Sequence, residues 1–158
     1  MENKRHNYSV QLDWTGNEGS GTSSYRAFSR SHDIRALGKP TISGSSDPAF
    51  RGDPAKWNPE ELLVASLAAC HQLWYLHLCA QAGIIVLDYH DDASGVMVEQ
   101  PDGAGQFESV TLRPTVKVVA GTDLDMARRL HHDAAEKCFI ARSVSFPVGH
   151  EPSIEIAR

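Results

Sequence analysis

The chain reads as an α+β fold built mainly from antiparallel sheet. Three observations predict this. One long apolar helical stretch, residues 58–83, interrupts a series of short alternating segments. A second, shorter helical pattern follows near residues 122–138. The segments between them are hairpin-like neighbours, without the strand–helix–strand alternation of a parallel sheet. The 158 residues most simply make one domain, 1–158, with room for a real core. No repeat, low-complexity tract or interdomain linker divides it.

The long helix is the clearest element. Asn58 is a good N-cap, Pro59 suits the first helical position, and Glu60 and Glu61 put negative charge where the helix dipole favours it. Gly83 is the expected stop. Apolar residues wrap most of the circumference, so the helix needs cover on most sides, which a second subunit would supply. His71, Gln72, His77 and Gln81 interrupt the apolar run, which argues against a membrane span.

Before this helix, residues 8–14, 24–30 and 32–37 read as strands, and 42–57 as a long loop with turn signals at Gly44, Asp47-Pro48 and Gly52-Asp53-Pro54. Loops of that length are often functional. After the helix, residues 84–90 and 96–99 read as strands. Residues 107–120 form one long strand, with Pro114 marking an edge or bulge. Thr122 is the expected cap of the second helix, whose apolar stripe is Leu124, Ala127, Leu130, His131, Ala134 and Cys138. Residues 144–148 and 153–157 close the chain as short strands.

The formal charge is −5, from 20 acidic and 15 basic side chains, and the basic residues are scattered. A nucleic-acid binder would need a basic surface, so that class is excluded. The start, MENKRHNYSV, has no apolar signal region. Three cysteines are too few, and odd in number, for a secreted disulfide framework. A cytoplasmic location with reduced thiols fits that usage.

The cysteines carry the candidate chemistry. Cys70, mid-helix after Ala68 and Ala69, is either a small buried hydrophobe or a thiolate nucleophile. A mid-helix thiol receives no help from a helix terminus, so activation would need a cation. Arg26 and Arg30 are the first candidates, with Arg35 and Arg51 behind. Cys138 is either the last apolar residue of its helix or a resolving thiol, since a helix C-terminus disfavours a thiolate. Cys79 lies ~13 Å further along the first helix and ~180° around it from Cys70. No disulfide can join those two, and Cys79 reads as core. Cys70, His71, His77, Cys79, His131, His132 and Cys138 offer soft ligands without zinc-type spacing, so no metal is expected. A Cys70–His pair for thioester hydrolysis lacks an orienting third group.

NPEELLVASLAACH around Cys70 and HHDAAEKCFIARSV around Cys138 resemble the two cysteine segments of the OsmC/Ohr family. SGSSDPAFRGDPAKWNPEELL and GSGTSSYRAFSR resemble its OsmC-type branch. The similarity runs along nearly the whole chain. It implies an intertwined homodimer, with antiparallel sheets wrapped around central helices. It implies a cytoplasmic thiol peroxidase, active on organic hydroperoxides and hydrogen peroxide in oxidative and osmotic stress, with no cofactor. By the same resemblance Cys70 is the peroxidatic cysteine and Cys138 the resolving one. Glu60 is the family glutamate, Arg26 (with Arg30 as second choice) the activating arginine, and a dithiol such as a lipoyl protein the reductant. Phe139 stands where the family pattern often has proline. On a straight helix Glu60 and Cys70 are ~15 Å apart, so an arginine between them must bridge from a loop, or the helix must kink. Trp74, Tyr75, Phe139 and Phe146 are candidates to line an apolar pocket. The alternative function is a dimeric stress protein that binds a small apolar ligand without turnover.

Overall fold

A computed structural model describes residues 3–158. The chain divides into two compact units, Met1–Leu62 and Leu63–Arg158.

The N-terminal unit holds a three-stranded antiparallel sheet of β1 (Gln11–Trp14), β2 (His32–Arg35) and β3 (Ile42–Gly44), in that order. Residues 24–30, expected as a strand, form turns with a single bridge between Asn17 and Phe28. The cause is Arg30. Its guanidinium donates to the carbonyls of Phe28 and Tyr25, both at 2.6 Å, and lies over both rings. That curls the segment back on itself. Gly16 faces the carbonyl of Ser29 so closely that a Cβ there would sit 1.9 Å from the oxygen. The expected loop at 42–57 contains β3 and a 3₁₀ turn, Pro48–Phe50, capped by Asp47 accepting from the Ala49 amide.

Helix α1 (Pro59–Gln81) opens with a capping box: Asn58 Oδ1 accepts from the Glu61 amide at 2.8 Å, and Glu61 Oε2 accepts from the Asn58 amide at 3.2 Å. It closes at Gly83, φ 72°, with the Ile84 amide donating to the Cys79 carbonyl and the Gly83 amide to that of Ala80. This double closure is the Schellman motif, and it needs the positive φ that glycine supplies. By length and composition α1 is apolar enough to cross a membrane. Its stripe Leu67, His71, Tyr75 and Cys79, however, is packed inside the C-terminal unit. The remaining circumference of α1 is more open in the single chain, with Leu73 66% exposed.

Two mixed three-stranded sheets accompany α1. One runs β4 (Val86–Asp91), β7 (Pro114–Val118), β9 (Ser153–Ile156). The other runs β5 (Ser94–Glu99), β6 (Gly105–Leu112), β8 (Val148–His150). The hairpin-like pairs β4–β7 and β5–β6 are antiparallel; β8 and β9 join β6 and β7 in parallel. The α+β class is as the sequence reads.

The long strand expected at 107–120 is two strands in two different sheets. The chain changes sheet at Arg113, whose amide donates to Asp91 Oδ1 and whose side chain reaches Glu151 and Ser94. Pro114, which has no amide to give a ladder, starts the second strand.

Helix α2 (Leu124–Lys137) is capped by Asp123, not Thr122. Asp123 Oδ1 accepts from the Asp125 and Met126 amides at 3.0 Å, while Thr122 turns its hydroxyl to the Val119 carbonyl. The aspartate adds a full negative charge at the positive end of the helix, which a threonine cannot.

The core is in two clusters. Tyr75, Cys79, Val116, Val118, Leu130 and Ala134 fill one. Leu67, Val110 and Leu112, with Phe107, Ile140 and Phe146 against them, fill the other.

Candidate active site

Within the C-terminal unit, α1 and the end of α2 bring two of the three cysteines together. Cys70 is half-buried on the middle turn of α1. Cys138, the C-cap of α2, is 1% exposed. Its thiol lies beside that of Cys70 and accepts from the Ala141 amide at 3.4 Å. Burial first, and the neighbouring Cys70 thiol second, push the Cys138 thiol up to about 11. Cys138 is therefore a protonated thiol at neutral pH. Cys79 is buried in the other cluster, its thiol pushed up by burial.

Two aromatic side chains flank the thiol pair. Trp74 follows Cys70 by one helical turn, so it lies on the same face of α1. Phe139 follows Cys138 directly and is 66% exposed. Their rings meet edge-on, 5.6 Å between centroids. Of the other apolar candidates, Tyr75 is core, and Phe146 packs on Phe107 in the second cluster. His77 is exposed, against the edge of Trp74.

The sequence reading missed a histidine cluster beside the cysteines. His71 Nε2 and His131 Nδ1 are hydrogen-bonded at 3.0 Å, both rings buried and nearly parallel. Tyr75 stacks on His131, with centroids 3.7 Å apart. Half-buried His150 lies 5.6 Å from the His71 ring. Burial holds His71 at about 4 and His131 at about 3, with neighbouring histidine charge adding to both. Each is thus a neutral imidazole at pH 7. His131 Nε2 is buried without a partner among the described residues, which costs about 1–3 kcal/mol. One signal was available: His71 and His131 both fall on apolar stripes. Nothing local pointed to His150.

A narrow cavity of ≈ 30 Å³ opens between Leu67, His71, Leu112, Cys138, Val148 and His150. That is room for about one water. No group of three or more His, Cys, Asp or Glu side chains is arranged to hold a metal ion among the described residues.

The remaining site candidates belong to the N-terminal unit. Arg26 is exposed. Arg30, the second choice, is half-buried and held by two carbonyls and two rings. Glu60 sits in the first turn of α1, with Oε2 buried and unpartnered among the described residues. Helix α1 runs unbroken from Glu60 to Cys70.

Residues 52–152 match the family described as OsmC-like protein. No curated protein matches the sequence significantly. Among solved structures, an OsmC-like protein of unknown function from Vibrio cholerae is 31% identical, over 94% of this chain and 99% of its own, with a TM-score of 0.83. An organic hydroperoxide resistance protein from Legionella pneumophila is 18% identical, over 96% and 99%, at TM-score 0.67. Another from Elizabethkingia anophelis is 16% identical, over 98% and 100%, at 0.66. At these last two identities the likeness is one of fold.

Proposed function

We propose an activity for a chain that belongs to the OsmC-like protein family: it is a thiol peroxidase that reduces organic hydroperoxides. One observation carries the reading. A half-exposed thiol, Cys70, lies beside a buried thiol, Cys138, with half-buried Trp74 and exposed Phe139 near them. That is the arrangement a two-cysteine peroxidase needs. Exposure lets the first sulfur meet a peroxide, and contact lets the second close on it without a large rearrangement. Trp74 and Phe139 offer the organic group of the substrate an apolar surface, which hydrogen peroxide would not use. The resistance proteins among the structural neighbours point the same way.

In this mechanism the Cys70 thiolate attacks the distal oxygen. The O–O bond breaks, an alcohol leaves, and Cys70 becomes a sulfenic acid. Cys138 then attacks that sulfur, water leaves, and a disulfide forms. An external dithiol of the lipoyl type returns both cysteines to thiols. Arg26, or Arg30 in its place, is assigned to polarise the peroxide, and Glu60 to orient that arginine. A second copy of the chain covers the open face of α1 around Leu73. The protein works in the cytoplasm, where thiols stay reduced.

The test is consumption of cumene hydroperoxide with dihydrolipoamide as donor. Cys70→Ser should abolish turnover, and Cys138→Ser should permit a single turnover that stalls. Undiminished turnover in Cys70→Ser would end the reading. The cavity beside Cys138 has room for about one water and not for an apolar ligand.

A further inference from the structure

We infer that His150, with His71 behind it, relays the proton that Cys138 must lose when it closes a disulfide with oxidised Cys70. The step rests on the peroxidase reading above and assigns it two further residues. The difficulty it resolves is local. Cys138 is nearly sealed from solvent, so its proton has no direct exit. Cys138 lines the ≈ 30 Å³ cavity, and His71 and His150 line it too. The cavity has room for one water to link thiol and imidazole.

The histidines also form a graded path outward. His131 and His71 are buried and hydrogen-bonded. The His150 ring is 5.6 Å from that of His71. His132, on the exposed side of α2 and 3.3 Å from Glu136, is 6.5 Å from His150. Three separate elements, α1, α2 and β8, therefore contribute to one line of imidazoles that starts at the buried thiol and ends in solvent. Burial keeps His71 and His150 below their ordinary range, with His150 lowered further by the charge of His132. Both are neutral at pH 7, and a neutral imidazole has one nitrogen that accepts and one that donates.

The step balances without any outside oxidant. The Cys138 S–H bond and the Cys70 S–O bond break, and the S–S bond forms. The Cys138 proton passes through the imidazole to the departing hydroxyl, which leaves as water. The imidazole ends neutral, in its other tautomer. His150 is the better test of the two, because it is half-buried and His71 is part of the core.

The experiment mixes fully reduced protein with one equivalent of cumene hydroperoxide. Samples taken over time are treated with dimedone for sulfenic acid and an alkylating agent for free thiols, then mapped. In His150→Gln, sulfenic acid should form at Cys70 at the unsubstituted rate. Disulfide formation should be slower by about 100-fold, so dimedone-reactive Cys70 accumulates. Added imidazole should restore the second step in His150→Ala, which a merely misfolded variant would not permit. In the unsubstituted protein, disulfide formation should slow in D2O, a check that needs no variant. A His150→Gln protein that closes its disulfide at the unsubstituted rate overturns the relay. So does a disulfide step indifferent to D2O. If the unsubstituted protein forms neither sulfenic acid nor disulfide, the peroxidase reading falls first, and the relay falls with it.

Discussion

The middle and the C-terminal end of α1 place the same residue type in opposite surroundings. Cys79 sits among Tyr75, Val116, Val118 and Leu130, closed off on the stripe that packs the sheet of β4, β7 and β9. Cys70, nine residues earlier on the same helix, is half-exposed and faces the one other thiol within reach. The helix gives both the same backbone. What differs is the partner brought by a distant segment: aliphatic strands in one case, the C-cap of α2 in the other. Reactivity is a property of that tertiary neighbour, and sequence position alone does not confer it.

The most forceful way to break this contrast is to remove the packing on one side of it. Leu67, one helical turn before Cys70, is fully buried in the second cluster. Leu67→Ala should destabilise the protein by about 2–5 kcal/mol, read from urea unfolding. A loss below about 1 kcal/mol would mean that the cluster is not a real core.

Acid should come next. An unfolded histidine titrates near 6.5, whereas His71 and His131 are held at about 4 and about 3. Between those values the unfolded chain binds protons that the folded chain does not. Stability is therefore full above pH 6.5 and falls as pH drops toward 4, by up to about 1.4 kcal/mol per pH unit for each histidine. Unfolding midpoints at pH 7.5, 6.0 and 5.0 test this above the carboxylate range, and equal midpoints would contradict it.

Cys79 and Cys70 can be set against each other directly. Cys79→Ala should cost about 1–2 kcal/mol of stability through the space left behind, with hydroperoxide turnover retained. Cys70→Ala should cost less stability and all of the turnover. The reverse pattern would exchange the roles of the two thiols. The smallest expected effect concerns the cap of α2, which positions Cys138 at the other end of that helix. Asp123→Ala should cost about 1 kcal/mol and Thr122→Ala less, by thermal melting.

How much of this was legible beforehand varies with how local the cause is. Helix α1 was readable to its ends because its signals are its own: Asn58 and Glu61 bond each other, and Gly83 supplies its own φ. The stripe of α2 was readable for the same reason. The split of the 107–120 segment was not. It depends on Arg113 finding Asp91, Ser94 and Glu151, which lie up to 38 residues away. Residues 24–30 have strand-like side chains, and only the reach of Arg30 back to Tyr25 and Phe28 turns them from extended structure. At the site, the three cysteines could be ranked from their helical positions and the family resemblance. The histidines could not, because His71 and His131 are 60 residues apart and meet only in the folded core.

The central claim is that Cys70 and Cys138 act as a pair while Cys79 stands aside. The most direct measurement is peptide mapping of reduced protein after one equivalent of cumene hydroperoxide, with remaining thiols alkylated. The expected result is a Cys70–Cys138 linkage with Cys79 alkylated. Three alkylated cysteines and unconsumed peroxide would contradict the claim.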